Sequence, residues 1–491
     1  MCSSDLERLD DVEPLVADLA GDGLNLATLV PVGTVLVNNE CFVDSIFGCL
    51  GRATVRVANP PPSIAGFGLA MDSMTNFVAG DITVDGIDVN VNIEGSGVVP
   101  NCGLNIHAAH GFLNGDYALQ PNPGDPTVLD VNQLGPLAVD FDDFQRTFTS
   151  GLCDAPIIGD IIQAFLPDIE QLTISAMEDF LDDPDGSGPQ DSPTANAIEE
   201  ALLGISIAGP VGQGLGVMFD APLFDVAEDN AGITLGSDSS FTTEVGSGPG
   251  QCQPPLGAPD LDASLSILEM FPAFGATTPV GHVPYDLGIS ISSAGFNQLL
   301  KAQTECGLLI SSVNALDLGG GPISLNAGLL SLIMPQFAVY PPATPFRIDI
   351  RPTLAPAVTG QPGPGGELAE LKIAQVLASI VRDDGSGEVA LVGAFDVKLG
   401  MDLEFMSSAL SVVLSPPATG DITIAIIDNP LGVVEGPLET TILPPLVGSL
   451  LPDLASGLSG FPIPSFLDLE LQGVEVSRNG QFLSLFTNLT P

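Results

Sequence analysis

Stretches in which apolar and polar residues alternate are separated along the chain by stretches with helical spacing. In residues 87–93 every second position is Ile or Val, and the positions between them are Asp or Asn. This period of two places one apolar face on a sheet and predicts an amphipathic strand. We predict further β structure at 54–57, 128–139, 205–245, 286–291, 346–351, 370–381, 388–405, 421–427, 466–476 and 481–487.

Two long segments follow the period of a helix instead. Between 153 and 181 apolar residues recur every three or four positions, and Pro167 is expected to kink this helix. Over 438–459 two adjacent apolar rows predict a second long helix. The rows are Ile442, Leu446, Leu450, Leu454 and Leu458, and Leu443, Val447 and Leu451.

The same spacing predicts three shorter helices. Two of them cover 5–19 and 193–204. The third follows the strand at 286–291, is capped by Ser292 or Ser293 and ends at Gly307. One side of this third helix carries Phe296, Leu299, Leu300 and Gln303.

Each long helix is apolar over a wider arc than the roughly 100° stripe that packing on one sheet requires. The extra width predicts a second apolar partner for the helix. Protein core on both sides of the helix is one interpretation, and a bound lipid beneath it is the other. Strands followed by a long helix occur in both halves of the chain, which indicates an internal repeat.

The charge balance narrows the classes of partner. The 491 residues include 61 Asp and Glu against 11 Lys and Arg, for a formal net charge of −50. Binding to nucleic acid requires clustered basic residues, and so does electrostatic docking on an anionic leaflet. Yet 45% of the residues are hydrophobic and the mean hydropathy is +0.38, which is not the composition of a disordered polyanion.

None of the seven cysteines forms a CxxC pair, which argues against zinc-ribbon and thioredoxin-like sites. Six of them could form three disulfides, which favours an oxidising compartment. The simplest pairing is Cys41–Cys49, Cys102–Cys153 and Cys252–Cys306, although six cysteines allow fifteen pairings. The seventh, Cys2, is a candidate lipid anchor if translation starts further upstream, and a stray N-terminal thiol otherwise. No complete signal peptide is visible at the start of the sequence.

Motifs for chemistry are weak. With only three histidines, most metal sites and most acid–base chemistry near neutrality are disfavoured. His107 and His110 are three positions apart in a predicted strand, which would place them on opposite faces and argues against a shared metal. Asp182, Asp183 and Asp185 lack the spacing of a calcium loop and favour a solvated loop. The longest charge-free stretch, 318–346, contains five prolines, so no membrane-spanning helix is predicted there.

Short patches of the second half resemble the bactericidal/permeability-increasing protein family, which includes lipopolysaccharide-binding protein and cholesteryl ester transfer protein. The leucine-rich helix that ends in Gly460-Phe-Pro-Ile-Pro464, with the strands after it, resembles the closing elements of that family. Residues 286–300 are similar to the strand and helix that open the family's second barrel. The resemblance also places Cys102 and Cys153 where the family's N-terminal barrel has its disulfide.

The resemblance implies an α+β fold with two elongated antiparallel β barrels, each wrapped on a long amphipathic helix and joined by a central sheet. The implied organisation is a tail at 1–32, a first barrel at 33–245, a linker at 246–262 and a second barrel at 263–491. Residues 1–50 do not match the family's opening elements, and 182–193 is an insertion. The chain lacks the family's basic tip, so recognition of lipopolysaccharide phosphates is not expected.

We therefore predict an extracytoplasmic lipid-binding or lipid-transfer protein, either secreted, periplasmic or on the outer surface. We expect that it is not an enzyme and that it needs no cofactor or metal. Its expected partners are phospholipid or neutral lipid and, transiently, membranes, but not nucleic acid. The predicted lipid-contacting residues are Ile162, Phe165 and Ile169 in the first barrel and Phe296, Leu299, Leu300, Leu446, Leu450 and Leu454 in the second.

Two other functions stay open at this point. One is a secreted or surface β-rich structural protein, adhesin-like, whose wide apolar helices pack in a filled core without a ligand cavity. The other is an enzyme that uses a pair of carboxylates, although no spacing among the acidic residues singles out such a pair.

Overall fold

A computed structural model gives the arrangement of most of the chain. The described residues are 2–6, 31–45, 48–151, 171, 174–175, 178, 182, 192–202, 207–211, 216–229, 232–243, 245–246, 251–255, 258–259, 261, 272, 274–317, 320–406, 409–459 and 470–490.

The first half contains one long hairpin, whose two strands have 21 and 20 residues, and its other strands are shorter. In chain order they are β1 (Cys2–Leu6), β2 (Val35–Ser45), β3 (Gly48–Val57), β4 (Gly66–Met74), β5 (Phe77–Gly97), β6 (Cys102–Pro121), β7 (Leu129–Gln133), β8 (Ala138–Asp142), β9 (Gln145–Gly151), β10 (Ile207–Val211), β11 (Val217–Ala221), β12 (Leu223–Asp229), β13 (Gly232–Ser237) and β14 (Ser240–Thr243). Helix α1 (Pro193–Leu202) lies between β9 and β10.

The second half also contains one long hairpin, whose strands have 14 and 18 residues, and its two main helices have 13 and 16 residues. Its strands are β15 (Leu287–Ser292), β16 (Ser311–Val313), β17 (Ala315–Asp317), β18 (Pro322–Ser324), β19 (Phe346–Arg351), β20 (Ala357–Val358), β21 (Ala369–Arg382), β22 (Val389–Met406), β23 (Ala409–Ser415), β24 (Ile422–Asp428), β25 (Glu470–Asn479) and β26 (Phe482–Thr490). Its helices are α2 (Ser293–Glu305), α3 (Ala327–Ile333), a 3₁₀ helix (Pro335–Val339) and α4 (Leu443–Leu458), with a 3₁₀ turn at Thr419–Asp421 and helical turns at Glu435–Pro437 and Leu438–Ile442.

These elements form an α+β fold with two curled half-barrel sheets. The first is an eight-stranded sheet in the order β2-β3-β5-β6-β7, to which β4, β8 and β9 are added on β5 and β6. The second is a seven-stranded sheet in the order β16-β19-β21-β22-β23, to which β20 and β24 are added. The predicted α+β class with two curled antiparallel sheets is confirmed.

A central six-stranded sheet joins the two halves, in the order β12-β13-β1-β15-β26-β25. Strand β1 lies in its middle, antiparallel to both neighbours, with Cys2 opposite Ser237 on one side and Ile291 on the other. The predicted tail at 1–32 and helix at 5–19 are therefore corrected for residues 2–6. Their backbone groups complete the ladder between two strands that would otherwise have open edges. The remainder of both predictions, except for Pro31 and Val32, lies outside the described residues.

Residues from the first half also pack into the core of the second. Strands β10, β11 and β14 form a separate three-stranded sheet whose Val211, Phe219 and Ala221 belong to the apolar core around α2 and α4. The predicted boundary near residue 245 therefore does not separate the two cores, because β11 and β14 both contact α2.

One continuous helical segment among the described residues, Glu435–Leu458, is long and apolar enough to cross a membrane by length and composition. Its leucine rows lie in the protein core, with Leu443, Leu446 and Leu454 at most 1% exposed. Packing against the seven-stranded sheet and α2 thus accounts for the apolar rows of this helix.

Candidate functional site

The six lipid-contacting residues predicted for the second half come together in one place. Phe296, Leu299 and Leu300 on α2 and Leu446, Leu450 and Leu454 on α4 belong to a single apolar core and are between 0 and 4% exposed. The same core includes inward residues of the seven-stranded sheet, such as Leu399, Met401, Leu403, Leu410 and Val412. We call the layer between the two helices and this sheet the helix–sheet seam.

Local sequence signals define the two ends of α2. The hydroxyl of Ser292 accepts a hydrogen bond from the backbone N–H of Gly295 at 3.0 Å, which is an N-cap, as predicted. The helix ends before Gly307, whose φ of +107° suits glycine. On its other side α2 contacts β11 and β14, where the rings of Phe219 and Phe241 are 5.1 Å apart. Helix α2 is therefore enclosed by sheet on two sides.

Seven of the 16 residues of helix α4 are buried, and they lie on one side of the helix. Its predicted rows are confirmed as a helix over Leu443–Leu458, preceded by one π-helical stretch at Leu438–Ile442. The opposite face, with Gly448, Ser449, Pro452 and Asp453, is exposed. The helix contacts β23 on one side and α2 on another. The second apolar partner that the wide arc predicted is therefore present as protein on at least these two sides.

Gln303 is the polar exception within the seam. Its side chain is fully buried, and its Nε2 donates a hydrogen bond to the backbone carbonyl of Gly457 in α4. Its Oε1 has no hydrogen-bond partner among the described residues. Leaving a buried acceptor unpaired costs about 1–3 kcal/mol. The sequence places Gln303 on the apolar side of α2, but it gives no signal that this residue links the two helices.

The corresponding site in the first half is described only in part. The predicted residues Ile162, Phe165 and Ile169 lie outside the described residues, as does Pro167. The described helical positions of this segment are 171, 174–175, 178 and 182. Ile174 packs against the core of the first half, and the Glu178 carboxylate accepts a hydrogen bond from the backbone N–H of Val139 at 3.4 Å. This part of the segment therefore lies against β8.

Asp182 has a structural role instead of the loop role that its neighbours suggested. Its carboxylate accepts hydrogen bonds from Nε2 of Gln133 at 2.6 Å and from the backbone N–H of Leu137 at 2.8 Å. The nearby Thr194 hydroxyl donates to Oε1 of Gln133 at 3.2 Å. Burial raises the pKa of Tyr117 in this cluster to about 12, so its hydroxyl stays neutral. These contacts fasten Asp182 and α1 to the first sheet, while Asp183 and Asp185 lie outside the described residues.

The placement of the two histidines corrects the sequence analysis. In β6 the buried positions are even-numbered from Leu104 to Ala108 and odd-numbered from Gly111 onward, and β5 shifts in the same way around Gly86, whose φ is +60°. This shift of one residue turns His107 and His110 to the same exposed face, although they are three positions apart. Each ring contacts an aspartate on β5, His107 with Asp88 at 3.2 Å and His110 with Asp85 at 2.7 Å. No group of three metal-ligating side chains was found within the described part of the chain.

Two disulfides join described cysteines, one in each half of the chain. Cys41 pairs with Cys49 between β2 and β3, and Cys252 pairs with Cys306 at the C-terminal end of α2. Cys102 is also disulfide-bonded, and Cys153, its predicted partner, lies outside the described residues. The bond at Cys306 fastens Cys252 to the helix, and Gly246 with it, because the backbone N–H of Gly246 donates a hydrogen bond to the carbonyl of Cys252 at 3.1 Å.

Comparison with known proteins gives similarity at the level of structure alone. No protein-family model matches the sequence, and no curated protein matches it. The crystal structure of lipopolysaccharide binding protein is similar over 100% of this chain and 98% of that chain, with 14% identity and a TM-score of 0.46. P47 of Clostridium botulinum E1 is similar over 100% and 98%, with 8% identity and a TM-score of 0.33. P47 from Clostridium botulinum A2 covers 99% and 96%, with 10% identity and a TM-score of 0.31.

Proposed function

We propose that this chain is an extracytoplasmic lipid-binding protein that carries lipid between membranes and catalyses no reaction. Acyl chains lie in the helix–sheet seam of the second half, in contact with Leu446, Leu450 and Leu454 on α4 and with Phe296, Leu299 and Leu300 on α2. Ile162, Phe165 and Ile169 have the equivalent role in the first half. The proposal includes membership of the lipid-binding family that the sequence resembles.

The observation that carries the proposal is that α4 is packed almost entirely through apolar contacts. Its buried leucines face apolar side chains on the sheet and on α2, and Gln303 provides a polar link between the two helices. Apolar layers with few polar links separate at a cost that is proportional to the area exposed. An acyl chain that enters between them replaces that area with equally apolar contact. The seam therefore offers a site in which only the headgroup needs water.

The energy of such a site comes from burial alone. Each methylene that leaves water contributes about 0.8 kcal/mol, so a chain of about 16 carbons contributes on the order of 10 kcal/mol before ordering costs. No titratable group is needed inside the seam. This explains why a functional site is compatible with a sequence that lacks motifs for catalysis.

The charge of the chain restricts the cargo. A net charge of −50 disfavours anionic lipids, because only 11 Lys and Arg oppose 61 Asp and Glu and the net field repels phosphates. Zwitterionic phospholipids and neutral lipids are the cargo that we propose. The disulfides fit an oxidising compartment outside the cytoplasm. Cys2 stays the candidate anchor, and because it begins β1, an acyl chain attached there would lie directly at the end of the central sheet.

Native mass spectrometry of the purified full chain, followed by organic extraction, tests the proposal. We expect one or two lipids per chain, with neutral or zwitterionic headgroups. A lipid-free mass that does not change after incubation with mixed liposomes would refute carriage. That result would favour a β-rich structural protein with a filled core, the alternative that buried seam residues also permit.

A further inference from the structure

One end of the second half exposes several large apolar side chains. Leu332 on α3 is 83% exposed, Val339 in the 3₁₀ helix is 70% exposed and Val434 in the loop after β24 is 61% exposed. We call these three residues the apolar tip. In the first half, Leu50 and Val98 are a smaller exposed apolar pair, at 49% and 63%.

Hydrogen bonds hold the two parts of the apolar tip together. Nε2 of Gln336 in the 3₁₀ helix donates to the backbone carbonyl of Gly432 at 3.3 Å. The side chain of Asn429 closes the loop, since it both donates to the carbonyl of Val433 and accepts from its N–H at 2.8 Å. Leu332 and Val339 on one side and Val434 on the other therefore form one surface.

The exposed side chains of the apolar tip cannot turn into the core, because neighbouring residues fix the orientation of their helices. The same short helices bury Leu330, Met334 and Phe337 completely, and the ring of Phe337 packs edge-on against Phe346 with centroids 5.5 Å apart. With these positions fixed inward, Leu332 and Val339 are held outward. A rigid apolar surface of this kind in water is the usual mark of an interaction site.

The distribution of charged residues around the apolar tip indicates what kind of surface it fits. Residues 318–346 contain no charged residue, although 15% of the chain is charged and a stretch of this length would ordinarily carry about four charges. Carboxylates lie at the rim instead. Asp428 and Glu435 are exposed near Val434. On the other side, Glu388 accepts a hydrogen bond from the Tyr340 hydroxyl at 3.0 Å and is paired with Arg382. A neutral apolar centre with an acidic rim suits a surface that is uncharged overall but presents cationic groups outward.

We propose that the apolar tip docks on zwitterionic bilayers, with Leu332, Val339 and Val434 at the boundary between headgroups and acyl chains. The rim carboxylates then lie beside the outward ammonium groups of phosphatidylcholine-type headgroups, and they repel anionic lipids. This inference rests on the proposed function, because it names the membrane that supplies or receives the cargo. It does not require that the seam be the cargo site.

Flotation of the full chain with phosphatidylcholine vesicles tests the docking surface. We expect the wild type to float with the vesicles. The variant Leu332→Asp/Val339→Asp should bind the vesicles at least about tenfold more weakly, because it places charge at the boundary between headgroups and acyl chains. Val98→Asp, at an exposed apolar site in the other half, is the control and should bind like the wild type. Replacing half of the phosphatidylcholine with phosphatidylglycerol should weaken binding of the wild type.

Three results would overturn the docking surface. They are equal vesicle binding by the double variant and the wild type, loss of binding in Val98→Asp instead, and stronger binding to the vesicles that contain phosphatidylglycerol. Sedimentation velocity adds a fourth: a dimer of the wild type that the double variant lacks, without vesicle binding, would make the tip a self-association surface. Native mass spectrometry of the double variant separates this from the carrier proposal, since its bound lipid should be unchanged.

Discussion

The side-chain amide of Gln303 in α2 donates a hydrogen bond to the backbone carbonyl of Gly457 in the last turn of α4. Both residues are buried, and the two helices that they join carry the six seam residues predicted for the second half. A Cβ atom on Gly457 would lie 2.7 Å from Oε1 of Gln303, so a larger residue there requires the Gln303 side chain to move. The pair therefore joins α2 and α4 directly at this point of the seam.

Substitution of Gly457 tests the helix pair. We expect Gly457→Ala to force the Gln303 amide away and leave buried polar groups unpaired. Gly448 lies in the same helix, and a Cβ atom there would meet no atom within 4 Å, so Gly448→Ala should be neutral or stabilise by up to about 1 kcal/mol. Urea unfolding should show Gly457→Ala to be about 1–3 kcal/mol less stable than Gly448→Ala. Equal stability of the two variants would remove the Gln303–Gly457 contact as a constraint.

The two disulfides between described cysteines should contribute unequally to stability. Cys252 and Cys306 are 54 positions apart, and Cys41 and Cys49 are 8 apart. Loop-closure entropy then predicts losses of about 4 and about 2.5 kcal/mol when each bond is removed. The double variants Cys252→Ala/Cys306→Ala and Cys41→Ala/Cys49→Ala, compared by urea unfolding, should rank in this order. The reverse order would show that native-state packing outweighs loop closure.

Acid should remove one specific stabilising contribution in the hairpin after β21. Hydrogen bonds from the hydroxyl and backbone N–H of Ser386, and from the Arg382 guanidinium, hold the pKa of Asp384 at about 2, below its ordinary 3.8. A depressed carboxyl pKa stabilises the folded state above the unfolded value and is lost as pH falls through the folded value. The difference in Tm between wild type and Asp384→Asn should therefore be constant above about pH 5 and shrink towards pH 2. A difference that does not change over this range would contradict the assignment.

Salt should stabilise the fold. At a net charge of −50 the folded chain repels itself, and raising NaCl from about 0.01 to about 1 M shortens the screening length from about 30 to about 3 Å. We expect the urea midpoint to rise steadily over this range, and equally with KCl. A midpoint that falls with salt would mean that ion pairs such as Arg347–Asp383 dominate over net repulsion.

Elements with a sustained period could be predicted from the sequence. The strand at Phe346–Arg351 has the predicted bounds, and α2, with its Ser292 cap and its end before Gly307, follows from local signals. Residues 383–387, Asp-Asp-Gly-Ser-Gly, have the composition of a turn and lie between β21 and β22. In each of these elements short-range preferences and burial agree, so the sequence pattern is sufficient.

Features that depend on long-range pairing could not be predicted. The five residues of β1 are too few to show a period, and their partners lie more than 200 positions away. The one-residue shift near Gly86, which brings His107 and His110 to one face, breaks the alternation on which the prediction relied. The packing of β11 and β14 on α2 crosses the predicted domain boundary, and neither strand carries a signal for it. Contacts between the six seam residues and lipid stay a prediction.

The central claim is that acyl chains lie beside α4, and a single tryptophan tests it most directly. The chain contains no Trp, so Leu450→Trp introduces one fluorophore into the seam, and Leu354→Trp places one on the surface as a control. After loading with phosphatidylcholine brominated on its acyl chains, we expect fluorescence of Leu450→Trp to be quenched relative to unbrominated lipid, and that of Leu354→Trp to be unchanged. Leu446→Trp provides a second position if the first variant does not fold. Equal fluorescence with both lipids at the seam position of a folded variant would contradict lipid binding there and indicate a filled core.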